Sequence, residues 1–196
     1  MNLPNKLTVA RIIATPIFMA TLVFDFPFHY LISMLLFIGA SLTDMADGKI
    51  ARSRGLVTNF GKFLDPLADK MLTTSAFLGF MLALDDTLRP QIVWITFIVL
   101  FREFAVSSVR LVLVSSSGKV VAANMWGKVK TVTQMAGIIL ALACYSLMHD
   151  FGVALPIVHT VSNVAISVVL WISAALCVIS GGIYLWDARD AINPSK

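Results

Sequence analysis

Six long apolar blocks divide this chain of 196 residues and leave little room for anything except membrane helices. Hydrophobic residues make up 58% of the sequence, charged residues make up only 13%, and the mean hydropathy is +0.86. This composition lies far outside that of soluble globular domains. The blocks are residues 7–24, 30–42, 71–84, 91–113, 129–147 and 161–186. We therefore predict an all-α integral membrane protein with six transmembrane helices in one domain, residues 1–196.

Two of these blocks, the second and the third, cross a bilayer only if each is extended through neighbouring aspartates. A hydrocarbon core of roughly 30 Å requires about 20 helical residues. The extension places Asp44 and Asp47 at the C-terminal end of the second helix, and Asp65 and Asp69 at the N-terminal end of the third. Both pairs of carboxylates then meet at one side of the membrane.

The distribution of Lys and Arg predicts which side this is. Basic residues cluster at both termini and in the second and fourth loops, whereas the other loops contain only Arg89. Because basic loops stay in the cytoplasm, we expect the aspartates and both termini to face the cytoplasm. The three histidines, His29, His149 and His159, then belong to the opposite side, where we interpret them as solvated loop residues.

The first apolar block is predicted to be a retained helix rather than a cleaved signal peptide, because Arg11 lies inside it and no small-residue cleavage site follows. Residues 2–6, which include Pro4, are interpreted as a short interfacial lead-in. Cys144 and Cys177 lie inside apolar blocks and are predicted to be unpaired core residues.

The spacing of the four aspartates predicts a site for divalent cations. Residues three or four apart share one face of a helix, so Asp44 projects with Asp47, and Asp65 projects with Asp69. Carboxylate oxygens are the ligands that Mg²⁺ and Mn²⁺ prefer. Four carboxylates favour two ions, roughly 3.5 to 4 Å apart, as in metal-assisted phosphoryl displacement.

Other residues near the aspartates fit a phosphorylated ligand. Gly48 and Gly61 lack side chains where a ligand could approach the backbone, and Arg52 can contact a phosphate or the edge of a base. Lys70 points about 100° away from Asp69 on a helix, so we interpret it as a flanking interfacial charge.

Three other interpretations of the acidic residues remain open at this point. The aspartates could form structural ion pairs with nearby basic residues, although ionisable groups at membrane depth are usually functional. A cation channel or transporter would distribute acids along a pathway through the bilayer, whereas these cluster at one end. An intramembrane prenyltransferase would also use paired aspartate-rich motifs to hold a diphosphate through Mg²⁺.

The run from Asp44 to Asp69 resembles, at every specified position, the motif D-x2-D-G-x2-A-R-x8-G-x3-D-x3-D of the CDP-alcohol phosphatidyltransferases. Eight specified positions at fixed spacing make this a strong signal. Segments 4–11, 61–70, 102–103 and 127–131 are similar to those of the bacterial phosphatidylglycerophosphate synthases in this family.

The resemblance implies a six-helix, usually homodimeric membrane enzyme in which an alcohol displaces CMP from CDP-diacylglycerol. It implies metal ligation by all four aspartates, with Asp69 also acting as the general base. The residues that it assigns to the CDP-diacylglycerol pocket are Gly48, Ala51, Arg52 and Gly61.

The acceptor alcohol is predicted from basic residues outside the motif. Arg102 and Glu103 lie deep in the fourth block, where they could simply pair with each other. Basic residues close to a metal site suit a phosphate, which favours glycerol 3-phosphate and leaves inositol phosphates as the nearest competitor. The candidate ligands of the acceptor phosphate are Arg102, Arg110, Lys119, Lys128 and Lys130. The isoelectric point is near 9.3. We interpret the basic residues behind it as contacts for anionic lipid headgroups rather than for nucleic acid.

Overall fold

The computed structural model describes residues 2–53, 58–117, 125–153 and 155–192, and these residues form an all-helical bundle. The predicted all-α class is therefore confirmed for the described part of the chain. In chain order the α-helices are α1 (Leu3–Val23), α2 (His29–Ser53), α3 (Asn59–Ala83), α4 (Arg89–Ser117), α5 (Met125–Tyr145) and α6 (Pro156–Ile192), and a π-helical turn (Ser146–Asp150) extends α5.

The helices pack as two groups of three. Helix α1 lies against α2 and α3, while α6 lies against α4 and α5, and contacts of α2 with α5 and of α3 with α4 join the two groups. Phe18, Phe37 and Phe77 are among the fully buried side chains of the shared core. Cys177 is buried there and Cys144 is partly buried, and both are free thiols, as predicted.

The outside of the bundle is apolar, as expected for a protein solvated by lipid. Phe101, Phe104 and Leu111, all on α4, are each more than two-thirds exposed. Among the described residues, α1, α4, α5 with its π-helical turn, and α6 are long and apolar enough to cross a membrane, and α2 has a shorter apolar stretch, His29–Asp44. Because exposed apolar patches of this extent are rare on soluble monomers, these helices indicate a multi-pass membrane protein.

The N-terminal segment differs from the prediction. Residues 2–6 are not a separate lead-in, because α1 already begins at Leu3. The Asn2 side chain caps the helix by accepting a hydrogen bond from the Asn5 amide at 3.1 Å. Pro4 lies in the first turn, where a missing N–H costs nothing.

The aspartates lie inside helices and not at their ends. Helix α2 continues past Asp44 to Ser53, and α3 begins at Asn59, well before Asp65. Thr58 starts α3 by accepting a hydrogen bond from the Gly61 amide at 3.0 Å, so the chain enters this helix ahead of the acidic pair.

The histidines lie in helices rather than in loops, which corrects that part of the interpretation, whereas His149 and His159 are exposed, as expected. His29 begins α2, His149 lies in the π-helical turn, and His159 lies in α6. The His159 Nε2 atom lies 2.6 Å from the Asp85 carboxylate, and the side chain of His29 is only 11% exposed. His149 and His159 contact residues of other elements, the Tyr30 ring of α2 and the Asp85 carboxylate after α3.

Candidate functional site

A cavity of about 680 Å³ lies between the two groups of helices, with walls from α2, α3, α4, α5 and α6. Five basic side chains and three carboxylates line it, so its described walls carry a net formal charge of +2. The charged residues are Asp44, Asp69, Lys70, Arg102, Glu103, Arg110, Lys128 and Lys130. This arrangement brings two of the predicted metal ligands together with four of the predicted phosphate ligands.

Asp44 of α2 lines the cavity and is contacted by a side chain of α1. Arg11, whose side chain is fully buried, donates a hydrogen bond from its NH1 to Oδ1 of Asp44 at 2.6 Å. The Asp44 side chain remains 34% exposed. A buried guanidinium needs a charge partner, and this contact uses Oδ1, one of the two carboxylate oxygens of Asp44.

The acidic pair of α3 divides between the cavity and α1. Asp69 lines the cavity together with Asp44, Lys130 and Glu103. Asp65, one turn earlier, accepts a hydrogen bond at Oδ1 from the Thr8 hydroxyl of α1 at 2.8 Å. Asp65 is therefore held by a defined neighbour on α1, while Asp69 faces the cavity.

Glu103 of α4 is the anion around which the basic residues gather. Its Oε1 accepts hydrogen bonds from Lys130 Nζ of α5 at 2.6 Å and from Arg102 NH1 at 3.1 Å. Its Oε2 lies 3.6 Å from Lys70 Nζ, and this same ammonium donates a hydrogen bond to Ser107. One carboxylate thus orders three cations from three helices, so the predicted Arg102–Glu103 contact is part of a larger network.

Lys70 is the clearest correction within the site. Its interpretation as a flanking interfacial charge is wrong, because it lines the cavity and contacts Glu103 and Ser107. Lys70 does point away from Asp69 on α3, but α4 packs on that side of α3 and provides the partners of Lys70.

Helix α6 also contributes to the cavity, although its sequence carries no diagnostic motif. The Arg110 guanidinium lies 5.8 Å from the ring centre of Tyr184, which lines the wall. Arg102 donates a hydrogen bond to Ser180 at 3.2 Å. A side chain at Gly181 would lie 2.9 Å from Cγ of Arg102, so glycine leaves room for this arginine.

The structure describes only some of the remaining predicted residues. Gly48 lies in α2, and Gly61 is buried where a side chain would come within 2.9 Å of Asn5 Oδ1. Gly61 therefore permits close packing of α1 on α3. The side chains of Asp47, Ala51 and Arg52 fall outside the described part of the structure, as does the whole of Lys119.

Among the residues to which the sequence assigned no part in the site, three lie on α1. Thr8 and Arg11 contact Asp65 and Asp44, and Asn5 accepts a hydrogen bond from Thr58 at 3.1 Å. The available signal was the spacing of three polar residues, at positions 5, 8 and 11, at the start of the first apolar block.

The donor atoms around Asp44 and Asp69 fit a hard divalent cation. Carboxylate oxygens suit Mg²⁺ and Mn²⁺, and each of these two aspartates faces the cavity. Among the side chains that the structure describes, no three His, Cys, Asp or Glu residues form a complete metal site. The Asp47 carboxylate lies outside that set.

Comparisons with known proteins agree on one family. A family model described as CDP-alcohol phosphatidyltransferase matches residues 1–180. A Bacillus subtilis protein named CDP-diacylglycerol--glycerol-3-phosphate 3-phosphatidyltransferase is 41% identical over 98% of this chain and 99% of its own length. A Rickettsia bellii protein of the same name is 36% identical over 93% of both chains. An Arabidopsis thaliana protein, numbered 2 under this name, is 35% identical over 94% of this chain and 78% of its own.

Proposed function

Because this chain belongs to the CDP-alcohol phosphatidyltransferase family, we propose that it transfers the phosphatidyl group of CDP-diacylglycerol to glycerol 3-phosphate. The products are phosphatidylglycerophosphate and CMP. The observation that carries the proposal is the cavity in which Asp44 and Asp69 lie together with five basic side chains. Carboxylates for cations and an excess of basic residues suit a reaction between two phosphorylated substrates. Relatives named for this reaction support the same acceptor.

The four aspartates of the motif are the proposed metal ligands. We assign Asp44, Asp47, Asp65 and Asp69 to a pair of Mg²⁺ or Mn²⁺ ions. Bound there, the ions would supply charge neutralisation for the pyrophosphate. The residues assigned to the nucleotide side of the pocket are Gly48, Ala51, Arg52 and Gly61.

Asp69 is the residue assigned to move the proton. The acceptor hydroxyl oxygen forms a bond to the phosphorus that carries diacylglycerol, and the bond from that phosphorus to the bridging oxygen breaks. The bridging oxygen leaves with CMP, and Asp69 accepts the hydroxyl proton. A carboxylate is far less basic than an alkoxide, so this transfer accompanies the transition state rather than preceding it.

The basic wall is assigned to the phosphate of the acceptor. Lys130 and Arg102 are fixed by Glu103, whereas Arg110 and Lys128 are exposed and can adjust to the ligand. A phosphomonoester near pH 7 carries between one and two negative charges, which matches the net +2 of the cavity walls. Lys119 remains a candidate from the segment outside the described residues.

The enzyme is proposed to be a single-domain, homodimeric protein of the cytoplasmic membrane, with six spans and the aspartates on the cytoplasmic side. The distribution of Lys and Arg supports this orientation. In a variant whose Cys144 and Cys177 are replaced by Ser, single cysteines at Thr87 and Leu56 should react with an impermeant thiol reagent from opposite sides. Labelling of both positions from one side would contradict the arrangement.

The acceptor is tested by comparing alcohols with the purified protein. With CDP-diacylglycerol as donor, CMP release should depend on glycerol 3-phosphate and be much slower with inositol phosphate, inositol or serine. Preference for inositol phosphate would keep the transferase chemistry and replace the acceptor. Cation flux through vesicles without any CMP release would instead favour a transporter with a cytoplasmic acidic site.

A further inference from the structure

Helix α1 carries a line of buried polar side chains within an apolar sequence. Asn5, Thr8, Arg11 and Thr15 recur every three or four residues and so share one face of the helix. Each is at most 7% exposed. Buried polar groups are unfavourable unless they are hydrogen-bonded, so the partners of this face indicate what it contributes.

Thr8 directs its hydroxyl to an acid of α3. Its Oγ1 lies 2.8 Å from Oδ1 of Asp65 and 3.2 Å from the Pro4 carbonyl of its own helix. A hydroxyl has one proton to donate, and a bond to an ionised carboxylate is shorter and stronger than one to a neutral carbonyl. The shorter contact therefore indicates that the proton is donated to Asp65.

Arg11 holds α2 at two points one turn apart. Its NH1 donates to Oδ1 of Asp44 at 2.6 Å, and its Nε donates to the Ala40 carbonyl at 3.2 Å. Because the guanidinium is planar and rigid, these two bonds fix the orientation of Arg11 relative to the Asp44 carboxylate.

We propose that Thr8 and Arg11 are positioning residues that orient Asp65 and Asp44 for cation binding by occupying one oxygen of each carboxylate. The inference rests on the proposed function, in which these aspartates hold divalent cations. The second oxygen, Oδ2, of each aspartate is left for the cation. Helix α1 thereby links the two halves of the aspartate motif, one on α2 and the other on α3.

The two contacts have distinct physical effects. Thr8 is neutral, so it restricts the rotation of Asp65 without changing the charge of the site. Arg11 also offsets part of the repulsion among the carboxylates before a cation binds. Hydrogen-bonding partners of ligating carboxylates commonly change metal affinity by about 10- to 100-fold.

The test measures Mn²⁺ binding in the absence of either substrate. The full-length protein in nanodiscs is titrated with Mn²⁺, and free Mn²⁺ is followed by electron paramagnetic resonance. Thr8→Val keeps the shape of the side chain and removes the donor, so its dissociation constant should rise about 10-fold or more. Thr8→Ser keeps the hydroxyl and should restore binding to within about twofold of the wild type, a smaller change than loss of the partner produces.

Thr15→Val is the matched control on the same helix. Thr15 is 1% exposed, and its hydroxyl donates to the Arg11 carbonyl at 2.9 Å. Its removal costs a comparable buried hydrogen bond within α1 and should leave the Mn²⁺ dissociation constant unchanged. A loss of affinity in Thr15→Val equal to that in Thr8→Val would identify a general effect on the helix and overturn the proposal.

Asp65→Asn separates failure of this proposal from failure of the proposed function. If the wild type binds Mn²⁺, Asp65→Asn loses it and Thr8→Val binds normally, the positioning role is wrong and the metal site stands. If Asp65→Asn binds Mn²⁺ as tightly as the wild type, the assigned metal site is wrong, and the role of Thr8 is wrong with it. Arg11→Lys gives a second measure, because it keeps the charge but loses the two-point geometry, and it should also bind more weakly.

Discussion

Asp65→Asn is expected to lower the rate of CMP release by about a thousandfold or more while leaving the protein folded. Asparagine keeps the shape of the side chain and an Oδ1 atom that can still accept the hydrogen bond from Thr8. The negative charge that we assign to cation binding is lost, however. Metal ions stabilise the charge of a phosphoryl transition state by several kcal/mol, and about 1.4 kcal/mol corresponds to a factor of ten in rate.

Asp86→Asn is the matched control for this substitution. Asp86 is 88% exposed and pairs with Arg89 at the opposite end of the bundle, so its loss should leave activity near the wild-type value. Thermal unfolding of both variants in detergent should resemble that of the wild type. An Asp65→Asn protein that fails to fold would favour the structural ion-pair interpretation, whereas a folded and fully active one would remove Asp65 from the site.

Lys130→Ala is expected to raise the Michaelis constant for glycerol 3-phosphate by about tenfold or more and to change that for CDP-diacylglycerol little. Charge-assisted contacts to a phosphate contribute roughly 1.5 to 3 kcal/mol each. Lys130 is 7% exposed and bonded to Glu103, so its removal also leaves that carboxylate with less neutralisation beside the anionic ligand. Arg110→Ala should shift the same constant in the same direction.

Lys130→Arg and Arg89→Ala complete that experiment. Arginine at position 130 keeps the charge and should recover most of the affinity for the acceptor. Arg89 lies at the opposite end of the bundle, so Arg89→Ala removes an equal charge without touching the cavity. If Lys130→Ala and Arg110→Ala both leave the glycerol 3-phosphate dependence unchanged, the assigned acceptor pocket is wrong.

The features that could be predicted from the sequence are those that depend on the spacing of residues along one helix. Apolar blocks of helical length predicted the all-α class of the described residues, and the aspartate motif predicted the family. The placement of Arg102, Arg110 and Lys130 near Asp69 also followed, because charges inside apolar blocks have few favourable positions except a polar cavity. These inferences need only the period of a helix and the cost of burying charge.

The contacts between helices could not be derived in the same way. Lys70 was misinterpreted because its direction was measured only against Asp69 on its own helix, whereas its partners are Glu103 and Ser107 of α4. Arg11 argues against a signal peptide and belongs to the family-like segment 4–11, but its contact with Asp44 does not follow from the sequence, since nothing there states that α1 packs against both α2 and α3. Such contacts depend on how the helices pack. Residues on different helices are not separated by any fixed number of residues, so a single sequence does not reveal which of them meet.

The most direct test of the account follows labelled glycerol 3-phosphate into lipid. Purified protein in nanodiscs is supplied with CDP-diacylglycerol and carbon-labelled glycerol 3-phosphate, and CMP and lipid-bound label are measured together. The account predicts equal amounts of the two products, no reaction after removal of divalent cations with EDTA, and recovery on addition of Mg²⁺ or Mn²⁺. CMP released without label entering lipid, or transfer that continues unchanged in EDTA, would contradict it.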